Sequence, residues 1–254
     1  MRWLIAVGCA TLLSPSTADA CSCKRPTVEV WPSSSAALPL NAQIRITWVE
    51  GYEASLSGDG SAITLVTSKG AEVATHRKSW ISGAVHTLLL TPKKALDPQS
   101  EYLVKLLGTG GGRVLGSFTT GTTSDDSPPT WKGIAETGYV DEPARCCNCS
   151  SGKPYAVIAI AQDSLAPRDD QTAAKDLVFG VWPARGPIDS TTLLAIAPAW
   201  GGMIRLGEWS ICAPRNFTLP AGKPARFQIA PIDLAGNVGT PAEITIDPTK
   251  PEPR

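Results

Sequence analysis

Short segments in which apolar and polar residues alternate recur along the whole chain. Apolar side chains occupy every second position of residues 44–48, and residues 102–106 and 242–247 repeat this alternation. Because side chains two residues apart on a strand lie on the same face, each segment predicts a strand with one buried face. A sustained helical spacing of three and four residues is not found in the sequence. We therefore predict an all-β fold.

The predicted strands are short and are separated by clusters of glycine, proline, serine and aspartate, which is typical of β-sandwich domains. The clearest break is TTGTTSDDSPP at residues 119–129, whose composition is that of a linker. We therefore predict two tandem β-sandwich domains, at residues 21–123 and 124–254.

One turn of the first half has the sequence form of a tyrosine corner. Its residues are Leu96, Pro98 and Tyr102, spaced two and four positions apart. In Ig-like sandwiches such a tyrosine begins strand F, and its hydroxyl bonds back to the preceding turn. Phe227 takes the corresponding place in the second half, where it can supply the packing but not the hydrogen bond.

Residues 32–48 resemble the opening of bacterial Ig-like domains of the SbsA type. They contain a small-residue turn, a PLNA segment at residues 39–42 and an I-x-I-x-W strand. The segment TLLLTP at residues 87–92, followed by residues 95–102, is similar to the second half of those domains. The resemblance covers most of residues 26–120.

The second half resembles bacterial Ig-like or fibronectin type III-like repeats at its edges only. Residues 126–130 look like the entry to such a repeat, and DLAGN at residues 233–237 looks like its hairpin before the last strand. The resemblance implies two extracytoplasmic Ig-like sandwiches that act as a spacer or binding module. Such domains commonly accompany a catalytic or anchoring domain, and here no residues are left over for one.

The first 20 residues have the pattern of a cleavable signal peptide. Arg2 precedes an apolar run at residues 3–13, and an A-x-A site follows at residues 18–20. The run is too short for a bilayer, which needs roughly 20 apolar residues. We therefore predict a secreted or periplasmic protein. Ala18 stands where a lipid-attachment box usually has leucine, so we expect no lipid anchor on Cys21.

Seven cysteines are present, and Cys9 would leave with the signal peptide. The six others are Cys21, Cys23, Cys146, Cys147, Cys149 and Cys212. An even number in an exported chain indicates disulfides. We favour a bridge from Cys212 to Cys147 or Cys149, and the full pairing stays open. The alternative is a thiolate site for copper(I) or zinc, although the spacing matches no zinc finger or ribbon.

Charge and motifs argue against several classes of function. The chain has 23 basic and 23 acidic residues and no basic run, which makes nucleic acid and anionic membranes poor partners. The two histidines are His76 and His86, and the sequence has no nucleophile elbow, zinc-protease motif or phosphate loop. We predict no catalytic residue and no cofactor. The expected partner is a protein or glycan at the cell surface.

We assign no metal site from the sequence, but Ca²⁺ is the alternative to test. Oxygen-bearing side chains fall in turns that an Ig-like topology places near the predicted junction: Asp97, Asp125, Asp126, Asp233 and Asn237. Such oxygens suit Ca²⁺. Aspartate and asparagine are equally common as turn residues without any ion.

Two tryptophans, Trp80 and Trp200, are predicted to lie in loops. An exposed aromatic ring can stack on a sugar or anchor a peptide. A ring that caps the sandwich is the other interpretation. The sequence thus favours a non-catalytic structural or interaction module, with a carbohydrate- or peptide-binding module and a thiol metal protein as alternatives.

Overall fold

The computed structural model describes residues 28–32, 37–49, 56, 59–108, 112–141, 152–160, 167–208, 216–219 and 222–250. Within these ranges the chain forms fourteen strands and one short 3-10 turn at Ala174–Asp176. The predicted all-β fold is therefore confirmed. The predicted signal peptide and all six cysteines of the predicted mature chain lie outside the described residues.

The first seven strands form two antiparallel sheets. They are β1 Val28–Trp31, β2 Ile44–Val49, β3 Ile63–Thr67, β4 Thr75–Ser82, β5 Val85–Pro92, β6 Glu101–Leu106 and β7 Arg113–Thr119. One sheet has the order β1-β2-β5-β4 and the other β3-β6-β7. In chain order this is ABED facing CFG, the arrangement of a constant-type Ig sandwich.

One apolar cluster fills the space between these two sheets. Ile44, Ile46 and Trp48 of β2 meet Tyr102 and Val104 of β6, and all five are buried. The Tyr102 hydroxyl accepts a hydrogen bond from the backbone N–H of Asp97 at 2.9 Å. The hydrogen bond that defines a tyrosine corner is thus present.

The last seven strands form one continuous antiparallel sheet. They are β8 Ile134–Val140, β9 Tyr155–Ile160, β10 Val178–Pro183, β11 Ala195–Trp200, β12 Met203–Gly207, β13 Ala225–Ile232 and β14 Ala242–Ile246. Their order is β14-β13-β10-β11-β12-β9-β8. Strand β11 pairs with β10 through residues 195–198 and with β12 through residues 199–200. Strand β11 therefore joins β10, β13 and β14 to β8, β9 and β12. The apolar faces of these two groups of strands share a second core.

Strand β10 is buried on both faces, because the two halves of the chain pack together. Phe179 and Val181 face the second core, whereas Trp182 belongs to a smaller cluster that Trp31 of β1 also contacts. The backbone N–H of Gln43 donates to the Leu234 carbonyl at 2.8 Å. The halves are thus docked against each other and are not strung out end to end.

Both tryptophans predicted in loops lie in strands, so that part of the prediction was wrong. Trp80 is in β4 and Trp200 is the last residue of β11. Strand β4 is an edge strand, and four of its eight residues are exposed, among them His76 and Arg77. Its polar sequence therefore lacks the apolar alternation by which the other strands were predicted. No helix in the described ranges is long and apolar enough to cross a membrane.

Candidate functional site

The segment between β7 and β8 is hydrogen-bonded to both halves of the chain. The Asn41 side chain donates to the Asp125 carbonyl at 2.8 Å and accepts from the Asp125 N–H at 2.9 Å. Asn237 donates to the same carbonyl at 3.0 Å. On the other side, Gln171 donates to the Ser124 carbonyl at 2.8 Å. The predicted linker is therefore fixed at both of its flanks.

The turn after β13 supplies one wall of this junction. Asp233 accepts the N–H of Asn237 at 2.8 Å, which closes the turn. Gly236 has φ +90°, a conformation that glycine adopts without strain. The Leu234 N–H donates to the buried Thr172 hydroxyl at 3.2 Å, so this turn is tied to the loop before β10.

Three aspartates converge where these segments meet, and a fourth, Asp233, is close enough to interact with their charges. Carboxylate oxygens of Asp125, Asp169 and Asp170 lie within 4.8 Å of one another. Asp233 lies near enough for the charges of Asp125 and Asp169 to raise its pKa. Asp125 and Asp233 are 0% and 1% exposed, whereas Asp170 reaches solvent. None of the four forms an ion pair within the part of the chain that the structure describes.

One oxygen of each buried carboxylate is used by the backbone. Oδ1 of Asp125 accepts the Ser127 N–H at 3.1 Å, and Oδ1 of Asp169 accepts two N–H groups at 3.0 and 2.6 Å. The other oxygen, Oδ2, is buried in Asp125, Asp169 and Asp233 and has no hydrogen-bond partner among the described residues. Burying a carboxylate oxygen without a partner costs free energy of folding, so a compensating group would stabilise the cluster.

The environment raises the pKa of two of these carboxyls. Burial raises the pKa of Asp233 from 3.8 to about 6, with its bonds to Asn237 opposing and the charges of Asp125 and Asp169 adding. Burial also raises the pKa of Asp125. The hydrogen bond from Ser127 lowers this pKa, whereas the charges of Asp169 and Asp170 raise it further. A carboxyl whose folded pKa exceeds its unfolded value favours the fold when protonated. Its contribution to stability therefore falls as pH rises from about 4 to about 6.

The structure brings together three of the five oxygen donors named from the sequence. Asp125, Asp233 and Asn237 meet at the junction, whereas Asp97 and Asp126 are exposed and outside the group of converging carboxylates. Asp169 and Asp170, whose sequence context is that of a turn, were not among the oxygen donors predicted from the sequence. The adjacent pair of acids was the available signal, but nothing in the sequence placed their loop beside Asp125.

A second concave region lies between the outer face of β2, β4 and β5 and the second half of the chain. It is a cavity of about 310 Å³ whose lining includes Arg45, Lys78, Trp80, Trp182 and Asp189. Arg45 is 6% exposed, and its guanidinium carbon lies 4.5 Å from the centre of the Trp31 ring. Its Nε has no hydrogen-bond partner among the described residues. Burial lowers the Arg45 pKa to about 9, so the side chain stays cationic at neutral pH.

The two tryptophans differ in their exposure. Trp80 is half-buried and lines this cavity. Trp200 is 64% exposed at the β11–β12 hairpin. Only Trp200 therefore offers a ring to solvent directly, while Trp80 is available to a ligand within the cavity.

The two histidines differ in their burial. His86 is 3% exposed, and its ring stacks on Trp48 with 5.4 Å between centroids. His76 is exposed on β4. The predicted disulfides and the alternative thiolate metal site involve cysteines that lie outside the described residues.

No protein-family model matches this sequence, and no curated protein matches it either. Solved structures that it resembles include the N-terminal Ig1-2 module of the Drosophila receptor protein tyrosine phosphatase DLAR, at 9% identity and a TM-score of 0.30, covering 87% of this chain and 98% of that one. The N-terminal part of the bacterial S-layer protein SbsC has 14% identity and a TM-score of 0.26, covering 87% and 44%. Fibronectin(III)-like modules of Clostridium thermocellum CbhA have 11% identity and a TM-score of 0.25, covering 87% and 93%. The fold assignment rests on the strand order of the chain itself.

Proposed function

We propose that this chain is an exported, non-catalytic structural or interaction module that holds two Ig-like sandwiches in a fixed orientation. The domains are residues 21–123, as an SbsA-type Ig-like sandwich, and residues 124–254. The signal-peptide pattern supports export to the periplasm or the outside of the cell. A surface protein or glycan is the proposed partner.

The hydrogen-bonded junction is the observation that carries this proposal. Asn41 of the first half engages both backbone groups of Asp125, and Asn237 of the second half shares the Asp125 carbonyl. A flexible tether needs no such contacts, since a linker that only connects domains is solvated. Two sandwiches fixed in this way form a spacer of defined shape.

Small-angle X-ray scattering of the Asn41→Ala variant tests the proposal. The change removes both bonds to Asp125, so we expect a larger radius of gyration and faster proteolysis between residues 122 and 127. Thr249→Ala, which removes only an exposed hydroxyl contact to Asp247, is the control and should leave both unchanged. Identical scattering from wild type and Asn41→Ala would contradict the proposed role of the junction.

The cavity favours one alternative, a carbohydrate- or peptide-binding module. The buried Arg45 cation and the Trp80 ring on one cavity suit a ligand that carries a carboxylate next to an apolar or sugar face. Titration with acidic and neutral oligosaccharides, followed by tryptophan fluorescence, would reveal it. Binding of the acidic sugar that Trp80→Ala removes and Trp200→Ala retains would support this alternative, and no response to either sugar would contradict it.

A further inference from the structure

We infer that Asp125, Asp169, Asp170 and Asp233 form a binding site for Ca²⁺ at the junction of the two sandwiches. Three of the carboxylates present oxygens within 4.8 Å of one another. Oxygens on opposite sides of a bound Ca²⁺ are about 5 Å apart, so one ion can contact all three.

The unpaired oxygens are the independent observation that points to a ligand. Asp233 is 1% exposed and Asp125 is 0% exposed, yet Oδ2 of each has no hydrogen-bond partner among the described residues. Oδ2 of Asp169 is also buried and has no hydrogen-bond partner among the described residues. Oδ1 of each residue already accepts a backbone N–H, which fixes the carboxylate and leaves Oδ2 for another group. A bound cation would compensate the charge of these buried oxygens.

The donor set selects the kind of ion. The donors are carboxylate oxygens, which suit hard cations, and copper(I) or zinc sites would draw on sulfur or imidazole. Mg²⁺ keeps several of its waters and is usually held by one or two carboxylates. Three carboxylates within reach of one ion, with the buried Asp233 beside them, suit Ca²⁺, whose shell of 6–8 oxygens leaves room for water beside the exposed Asp170.

The ion would connect three segments that are distant in sequence. Asp125 lies between β7 and β8, Asp169 and Asp170 precede β10, and Asp233 follows β13. Asn41 binds the Asp125 backbone from the first half. Neutralising the carboxylates therefore strengthens the contact between the halves. Only this stiffening rests on the proposed spacer role, since the ion site stands on its own geometry.

Isothermal titration of CaCl₂ into chelator-treated protein tests the site. We expect one Ca²⁺ per chain, and a loss of affinity of at least about tenfold in Asp170→Asn, which removes one ligand charge at an exposed position. Asp126→Asn is the matched control, because Asp126 is an exposed neighbour outside the cluster, and its affinity should equal that of wild type. A titration with MgCl₂ should give at least about tenfold weaker binding.

Absence of Ca²⁺ binding by the wild type would overturn the inference, as would binding that Asp170→Asn leaves unchanged. Equal affinity for Mg²⁺ would overturn the choice of Ca²⁺. The titration reports on the ion alone, and the scattering of Asn41→Ala reports on docking. Failure of the ion site and failure of the spacer role are therefore distinguished.

Discussion

The same residue type has opposite roles in two regions of the second half. Asp189 lies in an exposed turn, and its Oδ1 accepts the Thr191 N–H at 2.6 Å, the Thr191 hydroxyl at 2.6 Å and the Thr192 N–H at 3.1 Å. These bonds, led by that from the Thr191 hydroxyl, hold its pKa below the usual value. Asp233 also closes a turn, but burial and neighbouring acids raise its pKa to about 6.

The difference shows how to separate a structural turn from a binding site. At Asp189 the donors of the protein satisfy the charge, so the residue is explained by the fold itself. At the junction the fold uses one oxygen of each buried carboxylate and leaves the other unpaired. An aspartate that the fold does not explain is the one that indicates a ligand.

The largest expected effect on stability at the junction is at Gly239, beside the Asp233 turn. A Cβ there would lie 2.5 Å from the backbone carbonyl oxygen of Pro129, which cannot rotate away. We expect Gly239→Ala to lower the free energy of unfolding by about 2–4 kcal/mol. Gly108→Ala, with nothing within 4 Å of its Cβ, should change it by less than about 0.5 kcal/mol. Urea unfolding measures both, and equal values would contradict tight packing at the junction.

Removal of the charge at Asp233 should stabilise the ion-free protein. Asp233→Asn keeps the acceptor for Asn237 and relieves the repulsion among the buried carboxylates, so we expect a gain of about 1–2 kcal/mol at pH 7 in EDTA. Asp189→Asn should instead lower stability, because the hydrogen bonds of Asp189 favour its charged form. Thermal unfolding in EDTA shows whether each variant is more or less stable than the wild type. A destabilised Asp233→Asn would mean that the carboxylate already has a partner.

A smaller effect is expected at Thr172, which accepts the buried N–H of Leu234. Thr172→Val leaves that N–H without its acceptor, at a cost of about 1–2 kcal/mol. Thr249→Val removes a hydroxyl from the exposed Asp247 turn and should cost less than about 0.5 kcal/mol. Hydrogen exchange at the Leu234 amide should quicken only in the first variant. Unchanged exchange there would contradict the tie between the two loops.

The sequence was most informative where local pattern and structure share a cause. Alternation in residues 44–48 identified β2, and the spacing of Pro98 and Tyr102 identified a turn whose hydrogen bond is present. Both features depend on residues close together in the chain. Strand β4 was not predicted, because an edge strand with polar side chains has no apolar alternation.

The candidate site was harder to predict, because it depends on contacts distant in sequence. Asp125 and Asp233 were identified through the order of strands in an Ig-like topology. Asp169 and Asp170 were not, because their place is set by the packing of the loop before β10 against residues 123–124. The same limit applies to Arg45, which alternation assigns to the solvent face of β2 and which the second half buries.

The melting temperature of the wild type and of Asp170→Asn, each with excess Ca²⁺ and with EDTA, tests the central claim most directly. A ligand at about 100 times its Kd stabilises by about 2.7 kcal/mol, which corresponds to a rise of about 5–10 °C for a chain of this size. We predict this rise for the wild type and a much smaller one for Asp170→Asn, whose ion-free melting temperature should be equal to or above that of the wild type. The same melting temperature with Ca²⁺ and with EDTA in the wild type would contradict a calcium-bound junction.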